Sequence, residues 1–158
     1  MTLPTIAFRP ITPEDEPLLL QVYASPRLEE LAPLGWSPEQ QLAFLTQQFH
    51  AQHQHYQRHY AAAEFLVILL DGRPGGRLYV DRQEEALLIV DIALLPEYRG
   101  LGIGSHLLRA LLDEAGAAGK PVRIHVEKFN PALRLYERLG FSVIADHGVY
   151  WFMERPPG

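Results

Sequence analysis

The chain has 158 residues, a formal net charge of −5, 47% hydrophobic residues and no cysteine. This length fits a single domain with its own core; the acidic balance argues against a broad nucleic-acid surface, and the lack of cysteine removes disulfides, thiolate metal sites and a cysteine nucleophile. No run approaches the roughly 18 apolar residues of a membrane span, and Met-Thr-Leu-Pro-Thr-Ile at the start lacks a basic segment leading into an apolar core, so a cytoplasmic protein without membrane attachment is expected.

Ile6 to Arg9 reads as a short first strand. Thr12-Pro13-Glu14-Asp15 is a helix start, with a capping hydroxyl, a proline in the first turn and then acids. That helix is expected to end near Ser25-Pro26. Ser37-Pro38-Glu39-Gln40 repeats the signal, and Leu42, Leu45, Phe49 and Tyr56 carry an apolar stripe toward His59, which predicts a second, long helix. Phe65 to Leu70 and Gly76 to Asp81 predict a hairpin around Asp71-Gly72, and the meander continues through Glu84-Glu85 into a strand over Leu87 to Leu95.

A glycine-rich loop follows, then a helix from about Gly104 to Ala118 whose buried face is Leu107, Leu108, Leu111, Leu112 and Ala115. A strand at 122–127, a helix from about Pro131 to Leu139 and two closing strands, Val143–Ala145 and Val149–Met153, complete the pattern. The expected fold is a three-layer α/β domain over residues 1–155 with helices on both faces of a mixed sheet, and a tail at 156–158. Four histidines, His50, His53, His55 and His59, crowd the second helix. His55 and His59 share a face, but no carboxylate completes a metalloprotease pattern, so a wet polar face and no metal are expected.

Arg99-Gly100-Leu101-Gly102-Ile103-Gly104 lies between a strand and a helix. Glycines let the main chain approach an anion, and the unpaired N–H groups at a helix start attract it. Leu107 stands where a dinucleotide fingerprint needs its third glycine, and Ser105-His106 stand where a triphosphate loop needs lysine then serine or threonine. Arg99 and Arg109 supply local positive charge beside the loop.

With Asn130-Pro-Ala-Leu-Arg-Leu-Tyr-Glu-Arg-Leu-Gly-Phe141 downstream of the glycine loop, the stretch from about 86 to 142 resembles the GCN5-related N-acetyltransferase (GNAT) family. The resemblance implies the GNAT fold, a largely antiparallel sheet splayed between strands four and five. It also implies transfer of acetyl from acetyl-CoA to a primary amine on a small molecule or a protein, by direct attack in a ternary complex. A non-catalytic acyl-CoA-binding sensor or interaction module is the alternative.

By the same resemblance, Ile92, Ala93 and Leu94 would pair through their main chain with the pantetheine arm. Arg99, Gly100, Leu101, Gly102, Ile103, Gly104 and Ser105 would wrap the pyrophosphate. Asn130 would touch the cofactor arm or cap the following helix, and Tyr136 would be the general acid for the leaving thiolate. Tyr136 lies six positions after Asn130, where many members have seven. Leu88 stands where some members carry a glutamate base. Asp91, His125 and the nearby Glu127 are the titratable replacements, with an ordered water relay as the other route. Trp36 and Tyr56 are candidates for the acceptor pocket or for packing. The apolar closing hairpin, Val149 to Met153, makes a homodimer possible.

Overall fold

The computed structural model describes residues 2–158. In chain order the elements are β1 (Ile6–Pro10), α1 (Glu16–Ala24), α2 (Leu28–Leu31), α3 (Pro38–His59), β2 (Glu64–Leu70), β3 (Arg73–Arg82) and β4 (Leu87–Leu94). They continue with α4 (Ile103–Ala117), β5 (Val122–Glu127), α5 (Leu133–Arg138), β6 (Ser142–His147) and β7 (Tyr150–Arg155). Among the described residues, seven strands form one sheet in the order β1-β2-β3-β4-β5-β7-β6. Every pairing is antiparallel except β4 with β5, the crossover that α4 spans.

The helix starts use the expected chemistry. Ser37 Oγ accepts from the Gln40 amide at 3.2 Å while Gln40 Oε1 accepts from the Ser37 amide at 2.9 Å. Ahead of α1, Asp15 accepts from the Thr12 amide at 2.8 Å and from Arg9 through both carboxylate oxygens. Leu107, Leu108, Leu111, Leu112 and Ala115 of α4 are buried against Ile68, Val80, Ile89, Ile124 and Met153 of the sheet. On the opposite face α1 and α3 build a second core from Leu19, Tyr23, Leu45 and Phe49. The result is the three-layer α/β arrangement expected from the sequence.

The structure departs from the sequence reading in three places. β3 begins at Arg73, three residues before Gly76, because Asp71 and Gly72 both take positive φ (51° and 79°) and close a tight two-residue turn. A register shift between Ile68 and Leu69 lets the strand carry Pro74. Leu28–Leu31, with a 3₁₀ turn at Ala32–Leu34 behind it, is an additional short helix. The last helix is shorter than expected: Asn130 Oδ1 accepts from the Ala132 amide at 2.8 Å, so a turn occupies the residues before Leu133.

Two details of the sheet make room for a site. β4 and β5 pair only at Leu87–Val122, Leu88–Arg123 and Ile89–Ile124. Beyond Ile89 the strands diverge, and the β5-facing edge of β4 is left without a strand. Gly76 of β3 lies so close to β4 that a Cβ there would sit 2.3 Å from the Ala93 carbonyl oxygen.

Candidate active site

A cleft of about 520 Å³ opens where β4 and β5 part. Among the expected residues, Asp91, Ile92, Ala93, Arg99, His125, Asn130 and Tyr136 all line it, as does Tyr56. Trp36 does not; its ring packs edge-on against Phe44 at 5.1 Å in the second core. His55 and His59 stack on each other at 5.2 Å on α3, outside this cleft.

Beside the cleft the chain turns through Gly100 (φ 73°) and Gly102 (φ 85°), and Gly102 is the residue that caps the start of α4. Positive φ at both positions is why glycine is needed there. Gly104 has no such need. It sits in the first turn of α4, and a Cβ on it would meet nothing within 4 Å. Alanine would favour the helix at that position, so the glycine leaves open space in front of the unpaired amides of the helix start. Arg99 folds back, its Nε donating to the Leu94 carbonyl at 3.0 Å and its Nη2 to Ser25 Oγ at 2.9 Å. It thereby ties the end of β4 to the turn after α1.

Asp91 faces the α1–α3 side because of a bulge. Tyr79 pairs with Asp91 while Val80 pairs with Ile89, which leaves Val90 unopposed. Strict alternation would put Asp91 on the same face as Ile89, in the α4 core. The bulge turns it over, onto Arg77 and Tyr56. Arg77, only 2% exposed, donates from Nη2 to Asp91 Oδ2 at 2.7 Å and to Gln52 Oε1 at 2.9 Å. The Tyr56 hydroxyl donates to the same Asp91 oxygen at 3.2 Å. Asp91 Oδ1 has no hydrogen bond to the described residues.

The charges around Asp91 fit that geometry. Burial opposes the charge on Arg77, yet the nearby carboxylate and phenols leave its pKa above the ordinary arginine value. Burial, followed by Asp91, holds the Tyr56 phenol far above its usual range, so it remains a donor.

Tyr136 has its ring tilted at 74° against Phe141, with centroids 5.8 Å apart. Burial, then the field of Asp91, pushes its pKa up to about 12. The phenol is therefore protonated at neutral pH. His125, on β5, stacks on Phe152 at 4.4 Å and places Nε2 3.2 Å from His147 Nδ1. Burial, with His147 second, lowers its pKa, so the imidazole is held neutral. Leu88 is buried in β4.

Arg77 and Gln52 lie outside the sequence reading of the site. Arg77 follows Gly75-Gly76 in a strand where an isolated charge reads as solvent-facing. The available signal was alternation: Leu78 and Val80 belong to one face, so Arg77 and Tyr79 share the other, on which the bulge places Asp91.

A model of the acetyltransferase (GNAT) family matches residues 28–141. Over 61 residues the chain is 43% identical to mycothiol acetyltransferases of Corynebacterium aurimucosum and Corynebacterium glutamicum. The match covers 37% of this chain and about a fifth of the length of those relatives. Among solved structures, PaiA N-acetyltransferase from Thermoplasma acidophilum, in complex with coenzyme A, superimposes with a TM-score of 0.68 at 20% identity over 96% of this chain and 99% of that one. An acetyltransferase from Thermus thermophilus gives 0.67 at 23% identity over 99% of both chains.

Proposed function

The chain belongs to the GNAT acetyltransferase family; from that premise we propose that it is an acyltransferase that works in the cytoplasm, transferring acetyl from acetyl-CoA to a primary amine by direct attack in a ternary complex. The observation that carries the reading is the cleft itself. An unpaired strand edge, a carboxylate and a free phenol border one opening, and the glycine turn that leads into α4 follows directly on its lining residue Arg99. The coenzyme A held by the Thermoplasma protein supports the donor assignment.

In this reading the edge of β4 at Ile92–Leu94 takes the pantetheine arm as an added strand, and the amides around Gly102–Ser105 take the pyrophosphate. The neutral amine attacks the thioester carbonyl carbon, the C–S bond breaks, and the amide forms as the amine loses its proton. Asp91, fixed by Arg77 and Tyr56 with Oδ1 unengaged, takes that proton directly or through one water. His125 is the second candidate for the same task.

Tyr136 serves the departing sulfur. Its pKa of about 12 exceeds that of a thiol, near 8.5. Complete transfer of the phenolic proton to the thiolate is therefore uphill, and the main contribution is a hydrogen bond to the charge that develops on sulfur. Asn130 accepts from the Ala132 amide through its side-chain oxygen, which leaves its side-chain nitrogen free to donate to the arm.

A second reading, an acyl-CoA-binding sensor, draws on Leu88, buried where some relatives carry a glutamate. Calorimetry with acetyl-CoA, together with thiol release over a panel of amines, separates the two. Binding with amine-dependent release supports transfer, whereas binding with no release from any amine supports the sensor. Pairing of two copies through β6–β7, whose Val143, Ile144 and Val149 are exposed, is part of the proposal. Sedimentation at twice 17.9 kDa tests it.

A further inference from the structure

Arg77 carries more hydrogen-bond donors than the fold uses. Of the N–H groups of its guanidinium, those on Nη2 reach Asp91 Oδ2 at 2.7 Å and Gln52 Oε1 at 2.9 Å. Nε and Nη1 are buried and meet no acceptor among the described residues. The guanidinium carbon lies 5.1 Å from the centroid of the Tyr79 ring, and the Tyr79 hydroxyl is likewise buried without a partner. A buried donor left unpaired costs stability, most of all on a charged group, and folds keep few of them. Arg77 borders the cleft together with Gln52, Tyr56 and Asp91. A molecule bound there can supply the acceptors that the protein does not.

The chemistry at Asp91 raises the same demand. Arg77 is 2% exposed, and Asp91 is its one ion-pair partner among the described residues. When Asp91 takes the acceptor's proton, the guanidinium loses that counter-charge while it is still buried, which is costly. Of the other acids on the lining, Glu127 is engaged by Arg27 at 3.4 Å, and Glu29 and Glu30 are exposed to water on α2. An anion that restores the balance at Arg77 therefore arrives with the substrate.

Resting on the transferase reading, we propose that the acceptor is a free α-amino acid, whose carboxylate displaces Gln52 and takes Arg77 through Nη2 and a neighbouring nitrogen while its amine points to Asp91 Oδ1. An edge of a guanidinium matches both oxygens of a carboxylate, and this charge-assisted pair is stronger than the neutral amide contact it replaces. Gln52 is half-buried on α3 and lines the cleft, so its side chain can exchange Arg77 for water. Because Nη2 lies 2.7 Å from Asp91, the amine and the carboxylate have to be close together, which fits an α-amino acid and disfavours a long spacer. A peptide N-terminus, whose neighbouring carbonyl belongs to an uncharged amide, offers Arg77 no such partner.

The test measures thiol release from acetyl-CoA with a panel of α-amino acids, each beside its carboxamide and its decarboxylated amine, with rates referred to the neutral amine present. The carboxamide stands in for a peptide N-terminus. The best α-amino acid is expected to exceed both comparators by about 10- to 100-fold in kcat/KM. Gln52→Glu sets a carboxylate of the protein's own on Arg77. It is expected to raise KM for the amino acid by about tenfold or more, to leave the decarboxylated amine nearly unchanged, and to hold or raise the thermal midpoint. Gln52→Ala removes the amide without adding charge and is expected to keep the preference. Equal kcat/KM for amino acid, carboxamide and amine overturns the inference, as does a preference that survives Gln52→Glu or disappears in Gln52→Ala. If no amine is acetylated, the transferase reading fails. Calorimetry of the same ligands on the protein, with and without acetyl-CoA, then decides the carboxylate site by itself. Tighter binding of the amino acid than of its carboxamide, lost in Gln52→Glu, supports the site, and equal binding overturns it.

Discussion

The buried Arg77 and the half-buried Asp91 form an ion pair, 2.7 Å from Nη2 to Oδ2, at the point where β4 bulges and the cleft opens. The pair joins stability to chemistry, since the carboxylate that fixes the arginine is also the group proposed to take the acceptor's proton. Breaking a buried pair by removing one partner leaves an uncompensated charge. Asp91→Ala is expected to lower the unfolding free energy by about 3–5 kcal/mol, and Arg77→Met combined with Asp91→Leu to recover most of it. Urea denaturation of the variants checks this.

Gly104 separates a binding role from a folding role. Alanine there is favoured in the helix by about 1 kcal/mol and meets nothing within 4 Å. Gly104→Ala should therefore raise the thermal midpoint by a few degrees while weakening acetyl-CoA. Paired thermal scans and titration calorimetry read both effects, and unchanged affinity would remove the loop from the proposed phosphate site.

Tyr136→Phe keeps the ring against Phe141 and removes only the hydroxyl. With that phenol's pKa at about 12, the loss is mainly one hydrogen bond to the leaving sulfur. The expected fall in kcat is about 10- to 100-fold, at the low end for general acid catalysis. Acetyl-CoA affinity should be nearly unchanged. Stopped-flow turnover with parallel binding measurements tells the two apart.

The acceptor proton predicts a pH dependence. A primary ammonium has a pKa near 10, so kcat/KM should rise between pH 6 and 9 as the neutral amine is populated. Asp91→Asn should abolish turnover throughout that range, whereas His125→Gln should retain more than about a tenth of it. The reverse outcome would move the role of base to His125.

Acid stability has a separate source. Arg9 holds the Asp15 carboxyl down at about 2 from an ordinary 3.8. The unfolded chain then binds this proton more readily than the folded one, so the contribution is complete above pH 3.8 and is lost as pH falls toward 2. Asp15→Asn should flatten the part of the thermal-midpoint curve that falls between pH 4 and 2.

Much of this architecture is legible in the chain because its signals are local. Ser37-Pro38 with Gln40 starts α3 where it is expected, and the leucines of α4 face the sheet as their spacing requires. α2 was illegible because four residues with only Leu31 buried carry no period. The Asp91 environment depends on register rather than periodicity. Only the bulge at Tyr79–Val80 brings Asp91 to Arg77, and nothing in Leu87 to Leu94 marks Val90 as the extra residue. Charge pairings across the cleft, such as Arg27 with Glu127 a hundred positions apart, require the folded chain.

Acetyl transfer to an amine is read most directly by mass analysis of an amine acceptor incubated with acetyl-CoA and the protein. An N-acetylated product is expected to form with wild type in step with thiol release and far more slowly with Tyr136→Phe. Tight binding of acetyl-CoA with no acetylated product from any amine class would contradict it.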